Sequence, residues 1–233
     1  MALSDSQVPT AGSRPLRLVV LASGQGRTFD ALAGAQQNGF LPVDIRVVLS
    51  DRRLAPVLEL AETRGIHAEA LRAREFPDRL AFDRALFARA ASYDPQLIVL
   101  AGYMRVIDAT VVAEWQGRMI NLHPSLLPKY PGLDTYARAL AAGDKTYGSS
   151  VHYVTDKLDG GPVISQASLP VLEGDTPDSL TERLRPVEQA LLIATLGLIA
   201  RQRIALGSNG VELDGRPLLA PLPMSPGGGF TGL

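Results

Sequence analysis

Asn121 and His123 in Asn121-Leu122-His123-Pro124, and Asp159 in Leu158-Asp159-Gly160-Gly161, are the side chains of this chain best suited to act together. An amide and an imidazole can both donate to a developing oxyanion, and a nearby carboxylate keeps the imidazole charged. Such a set suits attack of an amine on a carbonyl carbon, the chemistry of an enzyme that moves a one-carbon acyl group. Placed two apart on a strand end, Asn121 and His123 project from the same face. Pro124 favours an extended backbone at His123. Singly, each has a plainer explanation: a satisfied core histidine, a turn-forming asparagine, a β-turn aspartate. Asp156 competes with Asp159 for the carboxylate role on equal terms.

Other candidates are weaker. Ser23-Gly24-Gln25-Gly26 separates an apolar run from a helical stretch, where backbone N–H groups and a helix dipole favour an anion. A dinucleotide fingerprint would need a third glycine where Phe29 stands, so a single phosphate monoester fits better. Ser125 as a hydrolase nucleophile lacks a G-x-S-x-G elbow and sits in a proline-bounded loop. Asp156, Asp159 and His152 match no strong metal spacing, and no metal is expected. His152 could equally face a structural side of its strand.

Composition narrows the field. The chain has 233 residues, no cysteine, three histidines and a net charge of −1, which excludes thiol nucleophiles, disulfides and cysteine-held metals. Scattered basic residues and a balanced charge argue against nucleic acid. The most apolar helical stretch, residues 190–200, is too short to span a membrane. Residues 1–15 are polar with Gly, Ser and Pro and read as a disordered lead-in to a cytoplasmic protein.

The elements that must position these side chains follow from periodicity. Residues 16–22, 45–49, 67–71, 97–101 and 118–122 read as strands, and 27–37, 55–64, 78–92 and 108–114 as helices between them. That alternation predicts an α/β fold, Rossmann-like and doubly wound, with a mostly parallel sheet of about seven strands. Asn121 and His123 then lie at the carboxyl end of a central strand, where open sheets bind ligands. Residues 135–142 read as a short helix. Residues 147–154 and 163–169, joined by a short loop, read as antiparallel strands that make the sheet mixed. A long helix over 179–203, open to disturbance at Pro186, and a small C-terminal hairpin complete a single domain over 16–220. From Pro221 the Gly-rich tail reads as flexible.

Asn121 to Gly132 (NLHPSLLPKYPG) and His152 to Ile164 (HYVTDKLDGGPVI) carry a resemblance to the folate-dependent phosphoribosylglycinamide formyltransferases, extending from about Leu16 to Pro221. The resemblance implies transfer of the formyl group of 10-formyltetrahydrofolate to the amine of glycinamide ribonucleotide in purine synthesis. It implies that Asn121 and His123 polarise the formyl oxygen, and that Asp159 sustains the imidazolium and organises a proton-relaying water. The folate would meet Arg79, Met104, Arg105, Val106, Ile107, Asn121, Thr155 and Asp156, with Leu100 and Val154 as apolar walls. The ribonucleotide phosphate would lie at Gly26, Arg27 and Thr28, and its glycinamide end at Glu188. Two departures stand out: Arg27-Thr28 where relatives have Ser-Asn or Thr-Asn, and Asp134 and Tyr136 where several carry histidines. Partners implied are these small molecules, with a homodimer open as an assembly, and neither nucleic acid nor membrane. The rivals are a formyltetrahydrofolate deformylase, a methionyl-tRNA formyltransferase and a non-catalytic folate- or nucleotide-sensing module. The two enzymes would be expected to carry an extra domain that this length does not accommodate.

Overall fold

Leu16–Leu21 is apolar at five of six positions and its last four residues are buried, which suits a strand covered on both faces. In the computed structural model, which describes residues 14–225, 227–231 and 233, this segment is β1 at the centre of the fold. After it come α1 (Arg27–Gln37), β2 (Val43–Ser50), α2 (Pro56–Thr63), β3 (Ala68–Ala70), α3 (Arg79–Ala91), β4 (Leu97–Leu100), α4 (Ala109–Glu114) and β5 (Met119–His123). Then follow α5 (Thr135–Ala141), β6 (Thr146–Tyr153), β7 (Val163–Pro170), α6 (Pro177–Ala200) and four short strands: β8 (Ile204–Gly207), β9 (Gly210–Leu213), β10 (Arg216–Pro217) and β11 (Leu222–Pro223). The main sheet has eight strands in the order β11-β7-β6-β5-β4-β1-β2-β3. Strands β1 to β5 pair in parallel, whereas β6 is antiparallel to both β5 and β7.

Alternation along β1 divides the core. Leu18 and Val20 pack with Phe29, Leu32, Val57, Leu191 and Leu196 of α1, α2 and α6. Val19 and Leu21 face the other way, onto Phe82, Leu86, Val111 and Trp115 of α3 and α4. The chain runs from β1 outward through β2 and β3, then returns to the opposite side of β1 as β4. Loops after β1 and β4 therefore diverge at a topological switch point.

The structure departs from the sequence reading in three places. Pro186 does not interrupt α6, which runs unbroken for 24 residues; Pro186 lies on the exposed side, where a missing N–H and a freed carbonyl meet water. The C-terminal hairpin gains a third strand through β10. In the stretch read as a flexible tail, Leu222 is buried and pairs with Ser165 of β7, giving the main sheet an eighth strand rather than seven. The expected N-terminal disorder at residues 1–15 falls almost wholly outside the described residues.

Candidate active site

Strand β5 ends the parallel part of the sheet and β6 begins the antiparallel part, so residues far apart in sequence face each other at this junction. Asn121 pairs in register with Leu100 on one side and with His152 on the other. The loop after β6 turns back over the end of β5 and brings Asp159 with it. Gly161 makes that turn possible: a Cβ there would lie 1.8 Å from the carbonyl oxygen of Tyr153.

Asn121, His123 and Asp159 meet. His123 Nδ1 lies 3.5 Å from Asp159 Oδ2, with both side chains almost wholly buried. The Asn121 amide donates towards Asp159 Oδ1 at 3.4 Å. Asp159 Oδ2 also accepts the Gly132 N–H at 2.8 Å. On the far side of the ring, His123 Nε2 donates to the Tyr130 carbonyl at 2.9 Å. A carbonyl only accepts, so Nε2 carries hydrogen, and a proton on Nδ1 makes the ring a cation facing the carboxylate.

His152 belongs to the same cluster, which the sequence left undecided. Its Nδ1–H donates to the Tyr153 carbonyl at 2.9 Å, leaving Nε2 to accept the Asn121 amide at 3.1 Å. Burial holds this imidazole below its ordinary pKa and so neutral. The pairing fixes which end of the Asn121 amide bears hydrogens. A cross-strand reading of positions 121 and 152 would have found it, had the antiparallel register been known. Asp156, the competing carboxylate, is exposed and apart from this cluster.

The residues assigned to a folate fall at the start of α3, in the loop after β4 and in the loop after β6. Met104 and Val106 are exposed, while Ile107 packs into the core and can offer only its backbone. Arg105 lies over the Phe82 ring at 4.9 Å, and Arg79 pairs with Asp108 at 3.5 Å. The Met104 N–H donates to Ser23 Oγ at 3.0 Å, tying this loop to the glycine turn. Leu100 and Val154 pack against the same apolar cluster. Thr155 and Asp156 stand in the loop that carries Asp159.

At the glycine turn, Gly26 caps α1 in the left-handed region with φ 76, and a Cβ would lie 2.5 Å from Val57 Cγ2. Only glycine satisfies both conditions. The Arg27 carbonyl accepts from Gln189 of α6 at 3.0 Å, which places the turn beside Glu188. Burial pushes the Glu188 carboxyl up to about 7. Tyr136, one of the two departures, stacks against Tyr147 at 5.0 Å on this side. Thr28 lies in the first turn of α1.

Two cavities lie elsewhere. One of about 370 Å³ is lined by Phe87, Trp115 and Arg118, and another of about 490 Å³ by Leu127, Lys129 and Gln166. Neither contains a member of the trio, and the convergence of donors and a carboxylate outweighs cavity size in locating chemistry. Among the described residues, no group of three His, Cys, Asp or Glu side chains is placed to hold a metal ion. No helix among them is long and apolar enough to cross a membrane.

A family model described as formyl transferase matches residues 16–196. The phosphoribosylglycinamide formyltransferase of Escherichia coli is 42% identical over 87% of this chain and 96% of its own length. A solved structure of the Coxiella burnetii phosphoribosylglycinamide formyltransferase is 46% identical, covers 88% of this chain and 96% of its own, and superposes with a TM-score of 0.84. A formyltetrahydrofolate deformylase from Pseudomonas syringae superposes with a TM-score of 0.79 at 25% identity, matching 85% of this chain but 66% of its own.

Proposed function

The chain belongs to the formyl transferase family, and from that membership we propose that it moves the formyl group of 10-formyltetrahydrofolate onto the amine of glycinamide ribonucleotide, with Asn121, His123 and Asp159 as its catalytic residues. The observation that carries this reading is the convergence of an amide donor, an imidazole and a carboxylate at the end of β5. Binding alone has no use for a cationic donor held by a buried acid.

In this reading the amine attacks the formyl carbon and the carbonyl oxygen gains negative charge; as that oxyanion collapses, the bond between the formyl carbon and the folate nitrogen breaks and the amine's proton passes to that nitrogen. One Asn121 N–H stays on His152, which fixes the amide's orientation, and the other turns from its long 3.4 Å contact with Asp159 to donate to that oxygen. His123 adds a second donor at Nδ1, which faces the Asp159 carboxylate at 3.5 Å. Asp159 also serves to hold a water that relays the amine's proton, with the Gly132 N–H keeping its Oδ2 in place and Oδ1 free to accept. Met104 to Ile107, Arg79, Thr155 and Asp156 bind the folate. Gly26, Arg27 and Thr28 take the phosphate at the start of α1, and Glu188 takes the glycinamide end. Cytoplasmic placement accords with this substrate pair.

The test is turnover of a formyl folate analogue, followed by absorbance, with and without glycinamide ribonucleotide. Transfer that depends on the ribonucleotide is expected, whereas turnover without it would indicate a deformylase and none at all a binding module. His123→Ala and Asp159→Asn should each lower kcat by roughly a hundredfold to a thousandfold while folate binding persists. Near-normal rates in both would remove the trio from the mechanism.

A further inference from the structure

Tyr130 occupies a backbone conformation that its side chain does not favour. Its φ is 53, in the left-handed region, where a bulky residue is an outlier. Such a conformation persists only when its surroundings over-determine it, and at a functional site it serves to aim a group. Here the group is the carbonyl that accepts from His123 Nε2 at 2.9 Å. Two residues on, the Gly132 N–H donates to Asp159 Oδ2 at 2.8 Å. One short loop thus grips both halves of the His123–Asp159 pair through its backbone.

What holds the loop lies behind it. The Tyr130 hydroxyl donates to Asp144 Oδ2 at 2.9 Å, and the Lys129 ammonium bonds both oxygens of the same carboxylate at 3.1 Å. Lys129 and then Tyr130 hold the Asp144 carboxyl below the usual carboxylate range, so it is ionised and accepts at neutral pH. The Arg138 guanidinium lies 5.3 Å from the Tyr130 ring and donates to the Pro131 and Leu133 carbonyls at 2.6 and 3.2 Å. Arg138 secures the loop's path, whereas Asp144 alone bonds the hydroxyl of the strained residue.

We propose that Asp144, just ahead of β6, is a positioning residue for His123, acting through the Tyr130 hydroxyl to keep the Tyr130 carbonyl on Nε2. That bond assigns hydrogen to Nε2 and leaves Nδ1 for Asp159 and the substrate. Releasing Tyr130 lets its backbone relax, strips Nε2 of its acceptor and reopens the choice of tautomer. The role in turnover rests on the reading of His123 as an oxyanion donor; the tautomer itself does not.

Asp144→Ala and Tyr130→Phe remove the same bond. Each is expected to lower kcat about tenfold, the scale of one charge-assisted hydrogen bond, with KM for both substrates within about twofold. The double variant should be no worse than either single one. Asp144→Asn keeps an acceptor and should recover most of the rate. Lys129→Met leaves the Tyr130 bond in place and should match the wild type. Nitrogen NMR of the His123 ring, taken at a pH where the ring is neutral, should show hydrogen on Nε2 in the wild type and mixed tautomers in Asp144→Ala and Tyr130→Phe. Wild-type kcat and an unchanged ring spectrum in Tyr130→Phe would overturn the proposal, as would additive losses or an Asn variant as poor as the Ala. Should Asp144→Ala not fold, Tyr130→Phe tests the same bond without altering a surface charge. A wild-type chain inactive on the formyl folate would sink the proposed reaction, and the ring spectrum would still decide this one.

Discussion

His152 and Glu188 are both shifted chiefly by burial, in opposite directions on the pH scale and with the same preference for the neutral form. Neutral His152 can accept the Asn121 amide, which a protonated ring could not. Glu188 is the more consequential case for stability. An unfolded chain ionises this carboxyl near 4.5, whereas the folded one holds its proton up to about 7. Its contribution is therefore fully present below pH 4.5 and is lost as pH rises through 7. Above that range the folded protein carries a buried charge eased only by Arg185. Glu188→Gln should melt with the wild type at pH 4 and above it at pH 8, by a difference on the order of 3 kcal/mol at most. Thermal melts of both proteins across that range check the sign. A gap that stays constant with pH would show that Glu188 does not titrate as its burial requires. The same substitution should weaken ribonucleotide binding if the carboxylate takes the glycinamide end.

At the level of elements, the loop from β6 to β7 positions Asp159 and depends on its glycines. Gly161 abuts the Tyr153 carbonyl, so Gly161→Ala must push the loop outward or distort β6. Asp159 would then leave His123, and kcat should fall by roughly a hundredfold, as for direct loss of the aspartate. Turnover beside a melting curve separates this from global unfolding; full activity in a folded variant would show that the loop tolerates the displacement. The glycine pair was legible in the sequence, as were β1 and β4, whose continuous apolar runs fit only buried strands. Asp78 and Asp108 marked helix starts, and their side chains do cap α3 and α4. The role of His152 was hidden because it depends on the antiparallel register of β6 against β5, which sets His152 opposite Asn121 and which side-chain periodicity does not give. Tyr130 was invisible for a different reason: it contributes a backbone carbonyl, which side-chain chemistry does not announce. Strand β11 was missed because two residues, one of them proline, carry no periodicity to read.

Across the whole molecule, the site exists because the sheet changes character at β5. Parallel strands on one side bring loops carrying the proposed folate and phosphate residues to their carboxyl ends, and the antiparallel pair on the other delivers Asp159 and His152. The antiparallel half has β7 near its edge, and β11 covers that edge through Leu222 and the Met224 N–H, which donates to the Gln166 carbonyl at 2.9 Å. Gln166 in turn bonds the Leu127 carbonyl and Ser150 Oγ, beneath the loop that leads to Tyr130. Ending the chain after Ala220 would bare the edge of β7 and the apolar surface under Leu222, both of which favour association between molecules. The shortened protein should lose roughly 1–3 kcal/mol of stability, from one buried leucine and a few ladder bonds. Light scattering should register its aggregation on warming. None of the proposed catalytic side chains is touched, so turnover measured well below the melting temperature should stay within about twofold of the full chain. Equal melting temperatures would mean that β11 adds nothing to the sheet it completes. A collapse of turnover in a folded, monodisperse variant would instead show that the edge strand holds the catalytic loop through Gln166.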